Sequence, residues 1–374
     1  MGGAGSCDVD PRHARYAVVA LISSGLLLDC VSRTTGMVGD SRMVEGKIGK
    51  HYIVVILGIV LLLLFGGGSY AHTVNTRGSD DPLGWFPTLF KLKDHTVFSY
   101  DGHYYIASIY ISDENVEDRF AYARSADLVH WEDVGPILTE RRPGAWDESR
   151  VWAPFVLSED GVYYMFYAGV TEHYAQSIVL APSTDPANPS GWQEHGVIFQ
   201  PDHKGMVWGG FSQWSNCRDP TVVRVGDLYY MYYTGLDTAG GIVGLATAPT
   251  LYGPWRDWGS VLTIQDVMLE SPLMIAYDSY HYLCFNEAGQ SGRGEHCVIG
   301  PTLSGPWTAP YSLSPGWAHE VWRDPGGDLY TSYLTGYYIN ISPLTWDTIY
   351  DPPHPFIGSQ VFHTWMPLLI HEEN

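Results

Sequence analysis

Four side chains able to do acid–base work stand at the heads of apolar runs: Asp94 in "KDHTVF", Asp219 in "CRDPTVV", Glu270 in "LESPLMI" and His319 in "WAHEV". Their spacing is regular. Asp94 lies eight residues before Gly102, Asp219 seven before Gly226, Glu270 eight before Asp278 and His319 eight before Gly327. Ala153, eight before Gly161, fills the same slot in a fifth segment. An acid at a solvated strand end needs no function, but acids that recur in one slot point to a shared site. Carboxyls brought together repel, so one keeps its proton while another stays ionised. Glycosidic bond cleavage needs that division: an acid for the leaving oxygen and a carboxylate as base or nucleophile. Arg218, beside Asp219, would hold its neighbour ionised.

The slots sit on a repeat. Five segments share a turn followed by alternating aromatic and small residues: "DGHYYIASIY" (101–110), "DGVYYMFYAG" (160–169), "GDLYYMYYTG" (226–235), "DSYHYLCFNEAG" (278–289) and "GDLYTSYLTG" (327–336). This period of two, in β-favouring residue types, predicts strands. An apolar run precedes each segment, and a second strand-like phrase ending in Trp follows. Each unit thus holds three strands and a fourth carrying the Trp. Five such units predict an all-β, five-bladed β-propeller whose innermost strands line a central channel. Trp131, Trp192, Trp255, Trp307 and Trp346 recur once per unit and are expected to pack between blades, as are the tyrosine pairs.

With 374 residues, 45% hydrophobic, the chain can bury a large core. Its net charge of -21 and lack of a basic stripe argue against nucleic acid and anionic membrane, and suit a neutral polymer. Residues 1–42 read as unstructured or as a misassigned start. In 43–71, Lys47 and Lys50 precede the apolar run "IVVILGIVLLLLF" (53–65), and small residues reach Ala71. That order predicts a secretory signal peptide or N-terminal anchor, the only membrane contact expected. Residues 72–374 would form the catalytic propeller, secreted or held outside the membrane. Beyond Ala71 only Cys217, Cys284 and Cys297 remain. The latter two could face each other across a strand pair, but buried free thiols are the expectation for all three. No Cys/His spacing suggests zinc.

The ordered phrases "SADLVHW", "VWAPFVLSEDGVYYMFYAG", "CRDP" and "LESP" resemble the five-bladed glycoside hydrolases of family 43, related to family 32, over most of residues 85–350. The resemblance implies a general base (or nucleophile) at Asp94, an acid-tuning and orienting carboxylate at Asp219 and a general acid at Glu270. Cleavage would invert configuration in a family 43 enzyme and retain it in a family 32 enzyme. The first blade departs from the pattern: "KDHTVF" is neither an Asp-Pro phrase nor the Asn-Asp-Pro-Asn of family 32. His319 matches a fifth-blade histidine that lies near a central ion in some members, which suggests a structural calcium there; no cofactor is required otherwise.

Sugar contacts are expected from His95, Trp152, Arg218, Trp214 and His319, with Trp85, Trp208 and Trp317 as further aromatic candidates. The insertion "QPDHKGMVWGGFSQWSN" (200–216) reads as a loop over the channel mouth. The favoured function is a secreted hydrolase of furanosyl or xylosyl linkages in oligo- or polysaccharides. A fructan- or sucrose-cleaving enzyme of the family 32 type and a non-catalytic glycan-binding propeller are the alternatives.

Overall fold

The computed structural model describes residues 91–112, 114–288, 294–314, 316–336, 338–357 and 362–364. The segment 1–42, the signal or anchor at 43–71 and Trp85 lie outside the described residues. The described residues are all-β apart from one 3-10 turn at Pro189–Gly191. Blade 1 comprises β1 (Lys91–Tyr100), β2 (His103–Ile111), β3 (Phe120–Ser125) and β4 (Trp131–Asp133). Blade 2 comprises β5 (Arg150–Glu159), β6 (Val162–Val170), β7 (Gln176–Ser183) and β8 (Gly196–Phe199). Blade 3 comprises β9 (Cys217–Val225), β10 (Leu228–Asp237), β11 (Gly240–Ala248) and β12 (Arg256–Thr263). Blade 4 comprises β13 (Leu269–Tyr277), β14 (Tyr280–Glu287), β15 (Glu295–Gly300) and β16 (Tyr311–Ser314). Blade 5 comprises β17 (Trp317–Arg323), β18 (Leu329–Thr335), β19 (Tyr338–Asp347) and β20 (His354–Ile357), with β21 (Phe362–Thr364) also pairing β19.

Every sheet is an antiparallel meander in chain order. The first strand of each sheet packs against the first strands of its two neighbours, and β1 meets both β5 and β17. That closes a ring of five, the predicted propeller. Tight turns close the first hairpins. In two of them, Asp101–Gly102 and Asp160–Gly161, both residues have positive φ, the backbone that a two-residue hairpin with a right-handed twist requires.

Five apolar clusters glue the blades, each spanning two neighbours and each containing one of the recurring tryptophans. Trp192 meets Phe98 of blade 1 edge-on at 6.0 Å, and Trp346 stacks on Tyr277 of blade 4 at 3.8 Å. The inter-blade role expected of these residues therefore holds. Their expected place on a fourth strand holds only for Trp131. Trp192, Trp255 and Trp307 stand in the connection ahead of the fourth strand, and Trp346 lies in the third strand of its blade. The tyrosines of "YYMYY" are core: Tyr232 and Tyr233 are fully buried in β10.

The cysteines correct one expectation. Cys284 and Cys297 are not free thiols; they lie opposite each other on β14 and β15 and form a disulfide. In-register neighbours on adjacent strands are the closest pairs a sheet offers. Cys217 is the free, buried thiol.

Candidate active site

The site is built at the inner strands, where each first strand carries a β-bulge: at Asp94 in β1, between Trp152 and Phe155 in β5, between Arg218 and Thr221 in β9, between Glu270 and Leu273 in β13 and between Trp317 and Glu320 in β17. The extra residue bends the strand and re-aims its side chains. Ala153, Asp219, Ser271 and Ala318 take left-handed φ values of 46, 54, 51 and 52° there. Such values are costly for residues with a Cβ and persist only where the surroundings enforce them.

This backbone corrects the predicted repeat slot. The first hairpins close at Tyr100–His103, Glu159–Val162, Val225–Leu228 and Tyr277–Tyr280. Counted back from those pairs, the equivalent residues are Asp94, Ala153, Asp219 and Ser271, with Ala318 marked in blade 5 by the same φ. Glu270 stands one residue before the slot and His319 one after it. The turns caused the error, because Asp278 opens its hairpin turn whereas Gly102 completes one, and the blade 5 loop is longer.

The true register sorts the channel into layers. One position before the slot stand Lys93, Trp152, Arg218, Glu270 and Trp317, and all five line a cavity of about 390 Å³ on one face of the propeller. Asp94, Asp219 and Ser271 reach the same cavity from the slot itself. One position after it, His95, Pro154, Pro220 and Pro272 line a constriction of about 20 Å³, too small for a sugar ring.

Of the residues expected at the site, the cavity therefore unites Asp94, Asp219, Glu270, Arg218, Trp152 and Trp214. Trp214, in the loop at 200–216, is 57% exposed at the mouth. Trp317 also lines the cavity, whereas Trp208 packs in the core and its indole donates to the Gln176 carbonyl at 2.8 Å. His95 and His319 are corrected: both are buried, and neither lines the cavity. Burial pushes each imidazole down to about 3, so both are neutral.

His319 Nδ1 pairs with Thr331 Oγ1 at 3.0 Å, and its ring stacks on Tyr333 at 4.8 Å. Calcium takes roughly six to eight oxygen ligands. Among the described residues no three His, Cys, Asp or Glu side chains gather as a metal set.

Hydrogen bonds assign different freedom to the three acids. Asp219 is buried, and its Oδ2 accepts from Thr234 Oγ1 at 2.9 Å and from the Ser271 amide at 3.0 Å. It is held in place. Glu270 is one-third exposed, and its Oε1 accepts from Arg218 Nη2 at 2.5 Å. Arg218 also donates to Asn216 Oδ1 at 2.7 Å and passes Asp219 Oδ2 at 3.6 Å, so it serves both carboxylates and not only its sequence neighbour. Burial, and then the charges of Asp219 and Glu270, push the Asp94 carboxyl from the ordinary 3.8 to about 7, against the pull of Lys93 and Arg218.

Sequence reasoning missed Lys93, Glu117, Gln176, Asn286 and Glu287, all of which line the cavity. Correct register would have found Lys93. Glu117, in the β2–β3 connection, belongs to no repeat and left no signal.

Comparison with known proteins agrees with this geometry. The model of glycosyl hydrolases family 43 matches residues 88–212. A probable arabinan endo-1,5-alpha-L-arabinosidase A of Aspergillus flavus is 29% identical over 216 residues, covering 54% of this chain and 60% of that protein. A probable arabinan endo-1,5-alpha-L-arabinosidase B of Aspergillus fumigatus is 30% identical over 149 residues, 39% of this chain and 38% of that one. The chain thus matches at most about three-fifths of the length of these relatives. In fold, a thermostable family-43 glycoside hydrolase aligns with a TM-score of 0.55 at 18% identity, over 77% of this chain and 98% of its own. An exo-1,5-alpha-L-arabinanase from a bovine ruminal metagenomic library aligns at 0.56 and 14%, over 74% and 99%. Residues 88–212 thus match glycosyl hydrolases family 43, and the five-bladed fold of the described residues is shared with solved enzymes of that family.

Proposed function

We propose that this protein is a secreted glycoside hydrolase that cleaves furanosyl or xylosyl linkages of a neutral polysaccharide, with arabinan the first candidate. The observation that carries the reading is the convergence of Asp94, Asp219 and Glu270, from three separate blades, on one cavity with Arg218 between two of them. The names of the curated relatives support arabinan, and the surplus of carboxylates in the cavity disfavours acidic sugars. The apolar segment at 53–65 and the Cys284–Cys297 disulfide support an oxidising, extracytoplasmic setting.

In this mechanism the ionised Asp94 takes a proton from a water that attacks the anomeric carbon. Glu270 gives its proton to the glycosidic oxygen as that bond breaks. Asp94 ends protonated and Glu270 ionised, and exchange with solvent resets the pair. Asp219, fixed by Thr234 and Ser271, holds Arg218 and the sugar in orientation. Because Asp94 works ionised, activity should rise as pH passes about 7.

The test is turnover of linear 1,5-arabinan, aryl α-arabinofuranoside, aryl β-xyloside, sucrose and fructan by the purified protein. Hydrolysis of an arabinosyl or xylosyl substrate is expected. Binding without turnover on every substrate would replace the enzyme by a glycan-binding propeller.

A further inference from the structure

Glu117 belongs to no repeat position, yet it lines the cavity. It sits in the β2–β3 connection, which is folded by Ser112: its carbonyl accepts from the Asn115 amide at 2.8 Å, its amide donates to the Val116 carbonyl at 3.0 Å, and its Oγ accepts from the Val116 amide at 3.1 Å. The Glu117 carbonyl accepts from the Val151 amide of β5 at 2.9 Å, which docks this blade 1 loop onto blade 2. Its side chain is 11% exposed and makes two charge-assisted contacts. Oε1 accepts from Lys93 Nζ at 2.9 Å, and Oε2 from Trp152 Nε1 at 2.5 Å.

Lys93 and Trp152 occupy the same register in adjacent blades, one residue before the slot, and both line the cavity with Asp94. We propose that Glu117 is a positioning residue: it holds the Lys93 ammonium beside Asp94 and the Trp152 indole on the cavity wall, so that the base is charged and the sugar seated when substrate arrives. This rests on the reading of Asp94 as the base.

The charges around Asp94 show why the tether matters. Asp219 comes from β9, Glu270 from β13 and Glu320 from β17, all carboxyls whose charges oppose ionisation of Asp94 or are opposed by it. His95, on the same strand, is neutral. On the favourable side stand Arg218 and Lys93. Arg218 is committed to Glu270, Asn216 and Asp219. Lys93 is the remaining cation, and its side chain is 40% exposed. A long lysine chain at such a site follows water unless a partner fixes it. Glu117 is that partner, and the carboxylate that fixes the ammonium also fixes the neighbouring indole.

The experiment follows kcat and KM on linear 1,5-arabinan from about pH 5 to 9 for the wild type, Glu117→Gln, Glu117→Ala, Lys93→Met and the double variant Glu117→Ala/Lys93→Met, with a melting temperature for each. Glu117→Ala and Lys93→Met should both move the acid limb to higher pH. A displacement of about one pH unit appears as a loss of about tenfold near pH 6 and under about twofold above pH 8.5. The double variant should move the limb no further than Lys93→Met alone, since the effect runs through the lysine. Glu117→Gln, which keeps an acceptor for the indole but loses the charge, should move the limb while leaving KM close to wild type.

A proportional loss at every pH, or a limb displacement by Glu117→Ala that persists without Lys93, would overturn the inference. A wild type inert on every glycan tested would overturn the base assignment and this inference with it, a result distinct from either of those.

Discussion

Asp94→Asn should change the pH dependence of stability in a direction that follows from burial alone. The folded protein holds the Asp94 proton up to about 7, whereas an ordinary aspartate releases it near 3.8. Between those values the folded state binds more protons than the unfolded one, so stability falls as pH rises. The group's contribution is fully present below about 3.8 and lost once pH passes about 7. As an isolated site the loss would be about 4 kcal/mol, at ~1.4 kcal/mol per pH unit. Water reaches this half-buried carboxyl and screens the charges around it, so about 1–2 kcal/mol is the working expectation. Asparagine mimics the protonated carboxyl and has no proton to lose. Urea unfolding at about pH 4 and pH 8 should therefore find Asp94→Asn gaining on the wild type by that amount as pH rises, while turnover is abolished. A stability difference that stays constant across the range, or shrinks with pH, would refute the claim that Asp94 is strained by burial among like charges.

Two further outcomes follow from contacts described above. Glu270→Gln removes the proton donor and should lower kcat by about 100-fold or more on arabinan, where the leaving group needs protonation, but far less on an aryl glycoside with an acidic phenol; equal losses on both, measured in parallel, would move the acid elsewhere. Replacing Cys284 and Cys297 together by serine opens a link with a sequence separation of 13 and should cost about 2–4 kcal/mol in denaturant unfolding, leaving KM unchanged because neither cysteine lines the cavity.

Period-two alternation and turn residues made the five blades legible, because a strand buried on one side must alternate and a hairpin must turn with Gly or Asp. The inter-blade tryptophans were legible for a related reason: a wedge that recurs once per unit leaves a recurring residue. The acids were legible as a group but not in register. A β-bulge shifts which residue faces the channel by one position, and a one-residue shift exchanges faces. Glu270 was thus placed in the cavity for the wrong reason, by a count taken from the first residue of its turn. The bulge brings it there from the preceding position, in line with Lys93, Trp152, Arg218 and Trp317.

The same one-residue error put His319 in the slot, whereas His95 was expected at the sugar only as the neighbour of Asp94 and lines the constriction below the cavity. Glu117 marks a different limit. No repeat predicts it, because it lies in a connection whose path is set by Ser112 and by docking on Val151. Repeats reveal what the blades have in common, whereas specificity at a channel mouth must come from what one blade does alone. Non-repeating residues that line this cavity, such as Glu117 and Trp214 in the loop at 200–216, are therefore where the choice among sugars should reside.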